Sequence, residues 1–512
     1  MNNMDLNINI KKLGKTENIF GFYRYLADNY ESKNHVLLES VEDTSHKMLF
    51  SFIGLKPDYM VKIINKDLTI YDITTETGEY MNDLVESDSL KEPKTDKLPF
   101  DDNVSMDIAG IDLLKQLIPI SRSAMPELFP RKVFSGGLLG YIGYDVVAPY
   151  VGYSPSTNQD DFPDVVMGFF TNVLTYSHST HTIYEINNSI DTYVPDKIIS
   201  YLFEKFKNTS ERKKKTSLNF NKKELMKQTN DFKSNTTEEE WESMISQAKE
   251  HIVEGDIIQA VLSRKMIAES TENPLDVYEA LRILNPSPYM FYLNFDGAHR
   301  GDIRILGSSP EALITKNQSH LETVPIAGTR RRGKTKADEE KMARELLSDE
   351  KELAEHIMLV DLARNDLARV SIPGTVDTYE FVKLKRFPNI MHLISKVAST
   401  SYLDPFTILK SMFPAGTVSG APKKRAMEII HDLEVGKRGP YAGTVGYVSF
   451  TGDMDMAISI RTIFNKNKKY IAQAGAGIVA DSKIDLEYLE TANKMKGVLS
   501  TLNLAKKIGG RK

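Results

Sequence analysis

The sequence contains no cysteine. That excludes disulfides, thiolate metal sites, iron–sulfur ligation and any cysteine nucleophile. A thiol-dependent glutaminase therefore cannot reside within this chain. Tryptophan occurs once, at Trp241. No apolar run approaches the roughly 18 residues that would span a bilayer. The polar stretch from Met1 to Lys12 is unlike a secretory signal. No membrane association and a cytoplasmic location are expected. Neither charge sign dominates, because 65 Lys plus Arg stand against 70 Asp plus Glu. Without a global basic footprint, no nucleic-acid partner is expected.

What is present is the balance of a globular protein: 512 residues, 41% hydrophobic and 26% charged. That length implies two or three domains with ample core. One composition shift stands out. Between Lys205 and Lys233 there are ten basic and three acidic residues, including Arg212-Lys213-Lys214-Lys215. Such a run reads as a solvated surface segment. We place a basic linker at 206–236, an amino-terminal region at 1–205 and a carboxy-terminal domain at 237–512.

The amino-terminal region reads as strands and turns, with β-like runs at 36–40, 47–53 and 68–73. In the carboxy-terminal domain Thr237 and Glu240 form a capping box ahead of a helix carrying Trp241, Met244, Ile245, Ala248 and Ile252 at helical spacing. A strand is expected over 256–264, with Gln259, Val261 and Ser263 on one face. Further helices are expected near 338–347, 350–364, 422–433 and 485–504. Strands are expected near 303–307, 322–326, 443–450, 455–463 and 470–474. Strands outnumber the helices needed for parallel crossovers, so the fold class is α/β (α+β) with large, largely antiparallel sheets.

Several clusters carry chemistry. Glu352 and Glu355 lie three apart on one helix face, and so do Glu487 and Glu490, with Lys494 one turn on. Two such carboxylate pairs without cysteine suit a hard cation such as Mg²⁺. A di-iron bundle would need Glu-x-x-His, whereas His356 directly follows Glu355. Gln473-Ala474-Gly475-Ala476-Gly477 ends a strand with small residues that let backbone amides approach an anion. Pro325 to Thr329 precedes three arginines. The stretch from Phe413 to Lys423 lacks the spacing of a P-loop. Arg461 is expected on an otherwise apolar strand, where a guanidinium calls for an anion.

In this order, these segments resemble the chorismate-utilising enzymes. The resemblance runs through Gly255 to Gln259, Gly307 to Glu311, Pro325 to Thr329, Asp361 to Asp366, Phe413 to Lys423 and Gln473 to Asp481. In the amino-terminal region it continues through Leu37 to Ser40, Ser51 to Leu55 and Phe134 to Asp145. Within that family the match is to the large-subunit, component I branch of the anthranilate synthases. The implied fold is a four-layer α/β/β/α sandwich with the substrate between the sheets. Gln259 is neutral and cannot deprotonate water, and Ala327 offers no nucleophile, so an external one, ammonia, is expected.

The resemblance also implies roles. Glu355 and Glu490 would ligate Mg²⁺, with Glu352 and Glu487 in support. The Gly475, Ala476 and Gly477 amides and Lys494 would meet the ring carboxylate of chorismate. Arg461 and Tyr441 would hold its enolpyruvyl carboxylate. Gly328, Thr329 and Thr417 line the substrate. Glu311 would protonate the departing hydroxyl, which requires a raised pKa. His392 is either an acid/base group or a core histidine. Leu38, Glu39 and Ser40, with Pro288, Tyr289, Met290 and Phe291, would form a tryptophan-binding inhibitory site. The expected partner is a glutamine amidotransferase subunit in a hetero-oligomer. Two other readings stay open at this stage: an aminodeoxychorismate synthase component I, and a tryptophan-binding paralogue without catalysis.

Overall fold

The computed structural model describes residues 7–41, 48–65, 67–74, 111–118, 133–152, 162–189, 197–210, 232–298, 301–387 and 390–510. The run Arg212 to Lys215 and most of the expected linker lie outside them.

Two large antiparallel sheets form the centre. In the first half of the chain the strands are β1 (Asn7–Lys15), β2 (His35–Val41), β3 (Met48–Leu55), β4 (Tyr59–Ile64), β5 (Asp67–Tyr71), β6 (Gly137–Ile142), β7 (Val165–Phe170), β8 (Asn172–Ser177) and β9 (Thr182–Ser189). After the short β10 (Lys233–Ser234) come β11 (Gln259–Glu269), β12 (Tyr289–Phe295), β13 (Ile303–Ser309), β14 (Ala312–Asn317) and β15 (His320–Thr323). Next are β16 (Ile326–Arg331), β17 (Asp377–Arg386), β18 (Ile390–Thr400) and β19 (Gly420–Ala421). The last are β20 (Thr444–Ser449), β21 (Met454–Ile458), β22 (Thr462–Lys466) and β23 (Lys469–Ile478).

One sheet runs β1-β9-β8-β3-β2-β12-β13-β22-β23-β11-β10. The other runs β16-β18-β15-β14-β21-β20-β6-β7-β4-β5. Apart from strands β10 and β16 to β19, both orders are palindromic in topology. Read outward from the β2/β12 and β6/β20 seams, strands β1 to β9 reappear in the same succession as β11 to β15 and β20 to β23. The helices agree. Ile19–Asn29 precedes β2 as Pro274–Leu284 precedes β12, and Lys197–Ser210 follows β9 as Ile484–Gly509 follows β23. The molecule is thus a pseudo-twofold arrangement of two similar halves. No repeat was legible in the sequence, because the symmetry resides in strand order rather than in residue identity.

The sheets pack face to face. Phe52, Leu293 and Phe464 of one share a core with Tyr59, Leu139 and Val445 of the other. Outside the first sheet, Phe22, Phe203, Leu281 and Leu499 bring four helices onto Leu37, Tyr176 and Tyr292. Outside the second, Ala343 and Leu346 of the Lys336–Ser348 helix cover Met391 and Leu393. The four-layer α/β/β/α order is therefore present.

The Glu238–Val253 helix begins at the expected capping box, with Thr237 and Glu240 bonded reciprocally. Two expected strands differ. The 322–326 run is split at Val324-Pro325, where proline lacks the ladder N–H. The 455–463 run is broken between β21 and β22, because these strands belong to different sheets. The chain changes sheet at Ser459 to Arg461, and Arg461 there takes a left-handed φ of 53°. A second crossing, from β13 to β14, passes through Pro310-Glu311. Ser308 N–H donates to Arg461 O (3.2 Å) and Ile458 N–H to Glu311 O (3.0 Å), so the two crossings lie side by side.

Candidate active site

Those crossings set Glu311 and Arg461 between the sheets. Glu311 is buried, and burial pushes its carboxyl up to about 8, with only the nearby Thr417 hydroxyl opposing the rise. Thr417 comes from a short turn, Gly416–Val418, and its Oγ1 has no partner at normal hydrogen-bond length. A carboxyl in this setting keeps its proton near neutral pH, which suits a general acid.

Arg461 leaves its expected strand position for the crossing, and its guanidinium makes one hydrogen bond, to Lys494 O at 3.3 Å. Burial lowers its pKa against the opposing pull of Tyr441 and Glu490. A sparsely occupied backbone conformation thus presents a cation into the cleft. Arg461 also helps push the His392 pKa down, after burial as the larger cause. His392 Nδ1 lies 2.8 Å from Gly328 O and 3.1 Å from Thr329 Oγ1. A carbonyl only accepts, so Nδ1 carries the hydrogen and Nε2 keeps its lone pair. In this state the imidazole accepts a proton at Nε2 and does not donate one there.

The carboxylates come from two helices, Glu350–Ala368 and Ile484–Gly509. Glu355 has its pKa raised by burial, then by Glu352 and Glu490, while a hydrogen bond from Gln259 opposes this. Glu487 is raised by burial and by Glu490, against a hydrogen bond from Ser482. The four side chains thus share one region, and their negative charge is only partly neutralised. Arg330 pairs with Glu352 (2.8 Å) and Asp349 (2.6 Å), and Lys494 with Glu490 (2.6 Å). A hard oxygen-donor set with surplus negative charge fits a divalent cation. The fit is not a closed cage. Among the described residues, only His251, Glu254 and Asp256 place three ligand atoms within 4.8 Å, and there Arg425 occupies Asp256 (2.7 Å).

Carboxylates only accept, so Gln259 meets Glu355 through its amide N–H, which leaves its carbonyl oxygen for another donor. A Cβ on Gly477 would stand 2.5 Å from Gln259 Nε2, so a larger residue there would displace that amide. Gly328 is constrained by its backbone, with φ 64° and Glu352 Oε2 3.1 Å from where a Cβ would stand.

The small-residue strand end differs in detail from expectation. Val261 N–H donates to Ser419 O (2.8 Å) and Ser263 N–H to Glu434 (2.6 Å), both away from β23. Their register partners, Gly477 and Gly475, therefore direct their amides to the open edge, whereas Ala476 faces Leu262 in the ladder. The Gly475 N–H serves the Tyr441 hydroxyl, and Lys494 Nζ donates to Gly475 O (2.8 Å). Gly477 is left as the amide aimed at the cleft.

Sequence reasoning missed three groups. Arg330 read as solvated charge, yet it fixes Glu352. Arg438 is buried, pairs with Glu434 (2.8 and 2.6 Å) and donates to Val418 O (2.7 Å) and Val261 O (2.6 Å), tying the Thr417 turn to β11. Its i,i+4 spacing from Glu434 was the available signal. Lys423 pairs with buried Asp366 at 2.7 Å rather than with a phosphate.

The two segments expected to form an inhibitory site are neighbouring strands: Leu38 pairs with Phe291, Glu39 with Met290 and Ser40 with Tyr289. They divide between two faces. Leu38 and Phe291 pack toward the inter-sheet core, and Met290 toward the helices. Glu39 is buried and accepts from Tyr278 (2.8 Å) and from Arg282 (2.8 and 2.9 Å). Three of about four carboxylate acceptor positions are thus taken within the chain.

Comparison with known proteins is decisive at this point, because the chorismate binding enzyme family model matches residues 92–500. This chain belongs to that family. Within the family it is similar to curated proteins named anthranilate synthase component 1. The Acetivibrio thermocellus protein is 39% identical over 490 residues, covering 93% of this chain and 92% of the relative. The Aquifex aeolicus protein is 42% identical over 404 residues, covering 77% and 78%. The crystal structure of anthranilate synthase component I from Streptococcus pneumoniae superposes with a TM-score of 0.69 at 32% identity, covering 89% of this chain and 95% of that one. The menaquinone-specific isochorismate synthase of Escherichia coli shares the fold, with a TM-score of 0.65 at 17% identity over 98% and 95% of the two chains. No helix among the described residues is long and apolar enough to cross a membrane.

Proposed function

We infer that this chain converts chorismate and ammonia to anthranilate and pyruvate, as the large subunit of a tryptophan-pathway lyase. The observation that carries the reading is Glu311, whose burial raises its pKa to about 8, on a crossing joined by backbone hydrogen bonds to the one that carries Arg461, in a chain that has neutral Gln259 and no base beside Glu355. Glu311 delivers its proton to the C4 hydroxyl as that group leaves. Ammonia, held against the free carbonyl oxygen of Gln259, adds at C2. Arg461 and the Tyr441 hydroxyl hold the enolpyruvyl carboxylate, and the Gly477 amide and Lys494 meet the ring carboxylate. His392 Nε2 is placed to accept a proton as pyruvate is eliminated and the ring aromatises. Mg²⁺, held by Glu355 and Glu490 with Glu352 and Glu487 behind them, would neutralise the ring carboxylate. Ala327, buried on β16, brings no competing amine.

The purified chain should make anthranilate and pyruvate in equal amounts from chorismate, Mg²⁺ and ammonium salts. With no cysteine, it should use glutamine only when an amidotransferase subunit is added. Anthranilate fluorescence and a coupled pyruvate assay read this out. Glutamine-dependent turnover by the single chain, or an aminated product without pyruvate, would refute it.

Tryptophan feedback belongs to the same proposal. The paired β2 and β12 segments join the two halves, so a ligand that prefers one arrangement of that seam biases the whole molecule. Ser40→Phe should leave an active enzyme that tolerates at least about tenfold more tryptophan, a coupling near 1.4 kcal/mol. The comparison is anthranilate output against added tryptophan for both forms. Equal inhibition would place the effector elsewhere.

A further inference from the structure

The loop from Gly436 to Gly443 carries both Arg438 and Tyr441, and its middle, at Gly439, is held from the opposite half of the molecule. Tyr144 N–H donates to Gly439 O at 2.8 Å. Gly439 N–H donates to Asp145 Oδ2 at 2.6 Å. Both polar groups of one peptide position are thus gripped by two consecutive residues of the 143–145 segment. The Arg438 guanidinium lies over the Tyr144 ring, 4.5 Å from its centroid. A Cβ on Gly443 would stand 2.2 Å from Ile142 O, so the grip closes at the far end as well.

We propose that Asp145 is a positioning residue. By fixing Gly439 it sets Arg438, which ties the Thr417 turn to β11, and Tyr441, which receives the Gly475 amide. The inference rests on the chorismate reading above and assigns to the amino-terminal half a direct part in shaping the site. Asp145 touches no reacting group. Its carboxyl is buried. Asp164 also raises its proton affinity, whereas the Gly439 N–H, Lys437 and Lys265 lower it. Lys437 is itself paired with Asp164 at 3.7 Å, so the surrounding charges belong to the same loop anchorage.

The test uses Asp145→Ala and Asp145→Asn in the full chain. Alanine removes the acceptor, whereas asparagine keeps a carbonyl oxygen for Gly439 N–H. Asp145→Ala should raise the KM for chorismate at least tenfold with kcat changed less than threefold, and Asp145→Asn should stay within threefold of the parent in both. Hydrogen exchange without substrate gives a second readout. In Asp145→Ala, amides in 416–421 and 438–443 should exchange at least tenfold faster, while the Glu238–Val253 helix keeps its protection. Unchanged exchange in 416–421, or an unchanged KM, would overturn the proposal. If alanine prevents folding, Asp145→Asn decides alone, since a tenfold KM rise there would show that the acceptor oxygen is not what matters. A parent chain inactive on chorismate would instead sink the chemical reading, with the exchange experiment still deciding the clamp.

Discussion

Glu355→Gln should abolish turnover, with a loss of at least about a thousandfold, or roughly 4 kcal/mol of transition-state stabilisation. The fold should survive and even gain. Glu355 has a raised pKa, first from burial and then from Glu352 and Glu490. A group raised in the folded state contributes its stability below its unfolded pKa and loses it as pH rises. Above its unfolded pKa the carboxyl therefore opposes folding, and the neutral amide relieves it. Without Mg²⁺ the variant should melt at or above the temperature of the parent. With Mg²⁺ the parent should gain thermal stability and the variant much less, because the ion binds only the folded state. Near-normal activity at low Mg²⁺, or equal stabilisation of both forms by the ion, would show the ligand assignment to be wrong. Glu490→Gln should behave alike in activity, although it also frees Lys494.

Glu311→Gln should lower kcat by about three orders of magnitude, within the range of a positioned proton donor together with the charge that it controls. The pH profile is as informative as the loss. The parent acid, pushed up to about 8 by burial, is protonated below that value. With a glutamine-fed partner, kcat should fall as pH rises through about 8. With ammonium as donor, free ammonia increases over the same interval, so the two trends oppose and a maximum should appear near that pH. Stability should move the other way. The folded carboxyl loses its contribution between its unfolded value and about 8, so at pH 8.5 the glutamine variant should melt higher than the parent while being inactive. A variant that keeps the alkaline limb of the parent would place the proton donor elsewhere.

The sequence made helix and strand types legible where periodicity and caps were strong, as in the helices beginning at Glu238 and Glu350. The two carboxylate pairs were also legible, because spacing along a helix survives in one dimension, whereas most other candidate site residues came from the family resemblance. Pairings were not. Arg330 was only one of three successive arginines and Arg438 drew no reading, since nothing in a linear chain says that Glu352 or Val418 O will meet them. Arg461 was placed within a strand because Met456, Ala457, Ile458, Ile460 and Ile463 make the run 455–463 largely apolar. The break comes from a change of sheet, a tertiary event that local propensity does not encode. Glu39 read as an open acceptor for the same reason, because Arg282 reaches it from a helix more than two hundred residues away. Ala476 read like its flanking glycines, and only the strand register separates its amide from theirs.

The palindromic strand order bears on how the chain must be made. At the central seams β2 lies beside β12 and β6 beside β20, pairs separated by some 250 and 300 residues. Neither half can satisfy those strands from its own sequence. Released alone, each would expose two long apolar edges with unpaired N–H and C=O groups, the surface on which chains aggregate. During synthesis the first half must therefore wait, with those edges bare, until the ribosome has delivered β12 and then β20. Such long-range closure slows folding.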